Sequence, residues 1–381
     1  MTRRRVGVNL LWLVPGVVGG SEEYTTRTLV GLDRLAPDDL DVTLFTLRPF
    51  ADAHPELVDH FRTVTLPLTG RDKSVRVAAE SSWLAVQGRR HDIELMHHAG
   101  GIMPAVRAAP GVLTIHDVQP LIHPEHFSPA KRAFSRVTIP SSARAARLVL
   151  TPSEYSRRAI VEVLGVDPAR TRVVPHGIAG PAPDPGEAQD LRLLRSYGVR
   201  QPFLLYPAIT YPHKNHETLV RSFATLRARR PDLSLVLTGG AGQEEESLSA
   251  LVRDLGLDRA VHRLGRIPRD DLDALLRRAA VLTFPSRYEG FGIPVVEAMA
   301  VGVPVVASTA TAVPEIVGDA GLLVAPDDVD AWAAAIDEIL TDPGLGDRLT
   351  TAGRERWHRF AQIDAARLLA AAYRDALVPS S

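Results

Sequence analysis

Short apolar runs alternate with longer amphipathic stretches along most of the chain, and this alternation constrains the fold more than any other feature. Val6–Leu11, Val42–Leu47, Leu95–His97, Val112–Ile115 and Leu148–Leu150 read as strands in the first half. Phe203–Tyr206, Leu233–Leu237, Val281–Phe284 and Val303–Val306 read as strands in the second. Strands that are apolar throughout and separated by helical segments belong to parallel sheets covered on both faces. The pattern restarts after Ile178–Asp190, a stretch rich in proline, glycine and alanine that reads as a linker. With 381 residues and domains of about 100–200 residues, two doubly wound α/β domains are expected, residues 1–180 and 191–360. Residues 181–190 would link them, and a C-terminal helix over about 360–381 would return to the first domain.

Several classes are excluded by composition. Hydrophobic residues make up 45% and charged residues 23%, which argues against disorder. With no cysteine, the chain has no disulfide, thiolate metal site or cysteine nucleophile. A formal net charge of −1 carries no nucleic-acid signature. The apolar stretch after Arg3–Arg5 is interrupted by Asn9 and Pro15 and lacks a cleavage site, so it reads as a buried strand and its loop rather than a signal peptide. No apolar run reaches the length of about 18 residues that a membrane span needs. The cytoplasm is the expected compartment.

Two asymmetries remain. Residues 1–180 carry 22 basic and 18 acidic side chains, and the remainder 22 and 27. Only three of the 44 basic residues are lysine, at Lys73, Lys131 and Lys214. GC-rich coding accounts for the arginine excess, and it makes each lysine that persists worth attention.

In open parallel sheets, ligands bind beyond the carboxyl ends of strands. The richest such segment is Thr283–Ala300, TFPSRYEGFGIPVVEAMA. A strand ends at Phe284–Pro285, a glycine-bearing loop follows, and a helix begins near Ile293–Pro294, proline being favoured in the first turn. A glycine-rich loop opening onto a helix offers free N–H groups to a phosphate. Glu289 in the loop can accept hydrogen bonds from hydroxyls, and Glu297 lies one turn into the helix. Two carboxylates flanking such a cradle suit a sugar on one side and a ribose on the other. The plain alternative is a glycine turn followed by an ordinary helix.

Glu289 and Glu297, with Gly290-Phe291-Gly292 between them, resemble the Glu-x7-Glu motif of retaining glycosyltransferases of family 4, which have the two-domain GT-B fold. Gly302-Val303-Pro304-Val305-Val306-Ala307, Val313-Pro314-Glu315-Ile316 and Gly321-Leu322-Leu323-Val324 are also similar to that family. The likeness runs from residue 19 to about residue 340 and is looser in the first half.

The resemblance implies two Rossmann-like domains facing across a cleft. It implies transfer of a sugar from a GDP-, UDP-, dTDP- or ADP-sugar to an acceptor hydroxyl, with retention, no cofactor and no metal. Lys214, before the helix at His216, matches the family's phosphate-binding lysine; its charge-assisted hydrogen bonds to a diphosphate are each worth roughly 1.5–3 kcal/mol. Gly19 and Gly20 match a glycine loop that approaches the donor phosphates. His116, before Asp117 at a strand end, matches a histidine near the reacting sugar. The implied catalytic set is His116, Lys214 and Glu289. The donor would also meet Arg266, Ile267, Gly290, Phe291, Gly292, Ile293 and Glu297, with the base near Arg266–Ile267. His97, His98 and Asp117 would line the acceptor pocket, the acceptor being a glycan, a lipid-linked glycan or a small molecule. Many members carry an arginine as second phosphate ligand where Ile209 stands, so that ligand would have to come from another residue here. Pro212-His213-Lys214-Asn215 is similar to mannosyl- and rhamnosyl-transferring members.

Two other readings keep the fold: a nucleotide-sugar 2-epimerase, and a binding protein without catalysis. The Asp-x-Asp triplets at Asp39–Asp41, Asp271–Asp273 and Asp328–Asp330 could suggest metal sites, but the latter two fall at helix starts, where aspartate caps N–H groups. Gly239-Gly240-Ala241-Gly242 is followed by three glutamates that would repel a pyrophosphate. The arginine-rich stretch Lys131–Arg158 reads as solvated helix faces, with peripheral contact to anionic lipid as the alternative.

Overall fold

The computed structural model describes residues 3–17 and 19–378. The chain forms two compact units, Met1–Gly177 with Ala361–Ser381, and Ile178–Phe360.

The first unit holds seven strands: β1 (Arg4–Asn9), β2 (Leu40–Leu47), β3 (Arg62–Leu66), β4 (Leu95–His98), β5 (Gly111–Thr114), β6 (Leu148–Thr151) and β7 (Thr171–Val173). They form one parallel sheet in the order β3-β2-β1-β4-β5-β6-β7. The second unit holds β8 (Phe203–Pro207), β9 (Ser234–Thr238), β10 (Val261–Gly265), β11 (Val281–Phe284), β12 (Val305–Ser308) and β13 (Leu322–Val324). Its sheet is also parallel, in the order β10-β9-β8-β11-β12-β13. Each sheet therefore reverses its winding direction once, between β1 and β4 and between β8 and β11. A crevice opens at that point beyond the strand ends.

Central strands carry the continuous apolar runs that make them visible in sequence. The edge and near-edge strands do not. β3 is half-exposed along most of its length, β10 alternates buried and exposed residues, and β7 and β13 have three residues each. A strand with one wet face has no reason to be uniformly apolar.

The linker assignment needs correction. Residues 179–189 are exposed, but Glu187–Ser196 is a helix within the second unit. Its Asp190 is 1% exposed and paired with Arg277 and Arg278, at 2.9 Å each. The chain instead passes between units at Gly177–Ile178 and at Phe360–Ala361. Proline and glycine mark an exposed segment here, not a boundary.

The last helix, Gln362–Leu377, belongs to the first unit and packs on the helix Gly20–Leu35. Gln362 Nε2 donates to the Arg27 carbonyl at 2.7 Å, and Arg374 holds Asp39 through two hydrogen bonds of 2.7 Å. Residues 379–381 of the expected helix lie outside the described residues. Among the described residues, no helix is long and apolar enough to cross a membrane.

Candidate active site

In the second unit, the loops after β8 and β11 converge at the point where the winding reverses. Lys214 closes a 3-10 turn, Pro212–Lys214, and Asn215 follows in the left-handed region at φ 56°. Asn215 holds this geometry through its side chain. Its Nδ2 donates to the Pro326 carbonyl at 2.6 Å and the Pro285 carbonyl at 3.2 Å, while its Oδ1 accepts from Thr218 at 2.8 Å. Beneath it, the Tyr206 hydroxyl donates to the Lys214 carbonyl at 2.7 Å and lies 3.1 Å from Ser286 Oγ. The backbone around Lys214 is thus fixed from the sheet side.

Lys214 Nζ sits 2.6 Å from Glu289 Oε1, with side-chain exposures of 20% and 12%. The Glu289 N–H donates to Thr311 Oγ1 at 2.9 Å. Two residues from adjacent central strands therefore meet as a largely enclosed ion pair.

Gly292, at φ 113°, precedes the helix Ile293–Val301, a conformation that suits only glycine. That helix, IPVVEAMAV, is almost wholly buried, and Glu297 is its single charge. Glu297 accepts Arg269 Nη1 at 2.7 Å, and Arg269 also binds Asp273 at 2.8 Å. Phe291 is 3% exposed and meets the Phe360 ring edge-on at 5.4 Å. Ile267 and Ile293 pack against the same core. Phe291 thus offers a ligand mainly its backbone, while Ile267 and Ile293 are only partly buried. Arg266 follows β10 and lies against Gly240, whose carbonyl accepts the N–H of Thr210 at 3.3 Å.

The aspartate triplets have other occupations. Asp328 caps a helix through the Ala331 N–H at 2.9 Å, Asp273 binds Arg269, and Asp39 binds Arg374. Among the described residues, no group of three histidine or acidic side chains is placed to hold a metal ion.

The first unit gives a different picture. His97 is 4% exposed, and both its ring nitrogens are engaged, Nδ1 with the Tyr373 hydroxyl at 2.8 Å and Nε2 with Thr114 Oγ1 at 2.7 Å. Burial holds its pKa down at about 3. His98 is 1% exposed, with Nδ1 3.3 Å from Asn9 Nδ2 across the β1/β4 reversal. Burial, reinforced by nearby His97, lowers it to about 3 as well. Both rings lie in the core of the first unit rather than on an open surface; a strand-end position does not decide which way a side chain turns. Asp117 Oδ1 accepts the Gln119 N–H at 2.9 Å, starting a short helix.

His116 is half-buried, and its Nε2 is sealed from solvent with no hydrogen-bond partner. Burial lowers its pKa to about 4, with the Ala99 backbone working weakly the other way. Its ring meets Tyr24 edge-on at 4.8 Å. Gly19, at φ 62°, caps the helix that Gly20 begins, with open space where a Cβ would stand.

Comparison with known proteins settles the family. The model described as glycosyl transferases group 1 matches residues 197–356, and that described as Glycosyltransferase Family 4 matches residues 18–179. The chain is 31% identical over 273 residues to O-antigen chain mannosyltransferase B of Escherichia coli, covering 70% of this chain and 71% of that protein. The chain belongs to the glycosyl transferases group 1 family.

This glycosyltransferase is also 32% identical to the MMP alpha-(1->4)-mannosyltransferase of Mycolicibacterium hassiacum, over 71% of its own length and 67% of the relative's. Anabaena Alr3699/HepE, solved in complex with UDP and glucose, matches it with a TM-score of 0.76 at 21% identity, over 98% of this chain and 100% of that one. That likeness bears on the fold, which is GT-B. Three residues of the glycosyltransferase escape the sequence reading. Arg269 holds Glu297 from a separate helix. His176 follows β7 and meets the Tyr24 ring at 4.7 Å. Tyr373 anchors His97 from the last helix. Of these only His176 carries a signal, a second histidine beyond a strand end.

Proposed function

We propose that the protein moves a sugar from a nucleotide diphosphate-sugar to an acceptor hydroxyl, with retention at the anomeric carbon and without a metal. The second unit binds the donor. The observation that carries this reading is the Lys214–Glu289 contact of 2.6 Å, close in sequence to the helix start after Gly292. As the glycosidic bond to the donor breaks, negative charge grows on the leaving diphosphate. Preorganised donors aimed at that charge are the largest expected catalytic contribution.

Lys214 supplies a compact cation, and the N–H groups at Gly290–Ile293 supply a dipole. An arriving diphosphate competes with Glu289 for the lysine, freeing the carboxylate to accept hydroxyls of the sugar. Glu297, fixed by Arg269, accepts the ribose hydroxyls. The first unit takes the acceptor, with His116 as its residue at the reacting sugar. Two curated relatives named as mannosyltransferases support a hexose donor. The solved relative with UDP and glucose supports a nucleotide leaving group.

A panel of nucleoside diphosphates read by thermal shift identifies the base, since a ligand at 100 times its Kd should stabilise by about 2.7 kcal/mol. With the matching donor, product anomeric configuration by NMR tests retention, and unchanged turnover in chelator tests metal independence. If no nucleoside diphosphate shifts the transition of the second unit, the reading is wrong.

A further inference from the structure

The two lysines left over from the donor site come together in the first unit. Lys73 opens the helix Lys73–Ser81, and Lys131 lies in the first turn of the helix Pro129–Ala145. The Lys73 ammonium stands 4.3 Å from the centre of the Phe134 ring, and the Lys131 ammonium 4.4 Å from the centre of Phe127. The two helices thus bring their cations to one place through the same short segment of residues 127–134.

Among the described residues, neither lysine forms a salt bridge. Two nearby carboxylates are hydrogen-bonded to backbone: Asp72 accepts the N–H groups of Ser74 and Val75, and Asp117 Oδ1 accepts that of Gln119. Local burial, and then the charge of Lys73, lower the Lys131 pKa, with Asp117 opposing. The two ammoniums therefore repel each other, Asp117 offsets this more weakly, and each cation rests on a phenyl face. In a chain with three lysines, the meeting of two that are distant in sequence is not explained by packing. A compact ammonium is a point charge on a flexible stem, suited to an oxyanion with charge on several oxygens.

We propose that Lys73 and Lys131 form an anion site that receives a phosphoryl or pyrophosphoryl group carried by the acceptor. The site lies beside Asp117, the residue after His116, so the anion would anchor the acceptor at the same end of the sheet as the proposed reacting hydroxyl. This rests on the reading of the chain as a transferase with its acceptor on the first unit.

The test uses the full chain with its donor site filled by the nucleoside diphosphate that stabilises it most. Inorganic pyrophosphate is then titrated by calorimetry. Binding should be saturable in the native protein. The double variant Lys73→Met/Lys131→Met should weaken it by about tenfold or more, since charge-assisted contacts are lost. The shift caused by the nucleoside diphosphate should be the same in both proteins. Arg89→Met, which removes an exposed charge elsewhere, should bind pyrophosphate normally. Equal affinity in the native and double-variant proteins, or equal weakening in Arg89→Met, overturns the site. Absence of any nucleoside diphosphate effect condemns the donor reading instead, and the pyrophosphate arm is still read without it.

Co-sedimentation with phosphatidylcholine vesicles, plain or containing one-fifth phosphatidate, separates the sources. Phosphatidate-dependent sedimentation that needs both lysines assigns the anion to a lipid-borne acceptor. Pyrophosphate binding without sedimentation assigns it to a soluble one.

Discussion

The two units share a winding but use their reversal points differently. In the second, the loops after β8 and β11 put a charged pair at the surface of a crevice, and the polar network beneath it involves Asn215, Tyr206 and Ser286. In the first, the ends of β1 and β4 turn their polar side chains into the interior, where Asn9 meets His98, and His97 meets Tyr373 and Thr114. The same topology thus yields a partly open ion pair in one unit and a buried polar core in the other. Position at a reversal point makes a residue available; burial decides whether it is a ligand contact or a structural one.

Substitutions can break that distinction. The largest effect belongs to Lys214→Ala and Glu289→Gln. Each should lower kcat/KM by about 10²–10³-fold, the loss seen when one preorganised charge contact is removed. Both melting transitions should stay near native, because the pair is partly solvated. Full turnover in both variants would leave the second unit without an assigned site.

His97→Ala should do the reverse. It removes a buried ring and strands the Tyr373 hydroxyl and Thr114 Oγ1, costing about 2–4 kcal/mol of first-unit stability. Urea unfolding followed by a first-unit probe reads this directly. A large loss of turnover with native stability would support His97 at the acceptor site.

Acid should weigh more heavily on the first unit, although burial also lowers His216 of the second unit to about 4. His97, His98 and His116 have folded pKa values of about 3, 3 and 4, all below the ordinary 6.5. The folded state then binds fewer protons than the unfolded state between pH 6.5 and about 4. Stability is complete above the unfolded value and falls as pH drops through that window, by up to about 1.4 kcal/mol per pH unit for each ring. Differential scanning calorimetry from pH 7 to pH 4.5 should show the first unit losing ground to the second. Parallel losses would mean that these rings titrate normally. The smallest effect is Tyr373→Phe, which deletes one hydrogen bond to His97 and should cost about 1 kcal/mol.

The residues of the proposed donor site are legible in sequence because one loop carries most of them. Glu289, Gly290, Gly292 and Glu297 fall within a single strand-loop-helix segment, and their types state their chemistry. Lys214 is legible because a scarce residue follows a strand end. Arg269 is not, since its partner Glu297 is reached only after folding. The burial of His97 is hidden for the same reason. Its ring is claimed by Tyr373, 276 positions later in the chain. The central strands announce themselves by uniform apolarity, while β3, β7, β10 and β13 are too short or too wet to do so. Proline and glycine at 180–186 imitate a boundary, and the buried pairing of Asp190 with Arg277 and Arg278 is invisible without coordinates.

The hydrogen bond from the Ile178 N–H to the Phe360 carbonyl, at 2.8 Å, fastens together the two ends of the second unit. In genetic terms that unit is an insertion, placed between the seventh strand of its host and the host's closing helix. A ribosome finishes the guest before it finishes the host. The second unit can fold while the first still lacks Gln362–Leu377, so Tyr24 and His97 wait on the last stretch synthesised. Stop codons near residue 361 should therefore spare the guest and cripple the host, and a gene joining residue 177 directly to residue 361 should encode the host alone.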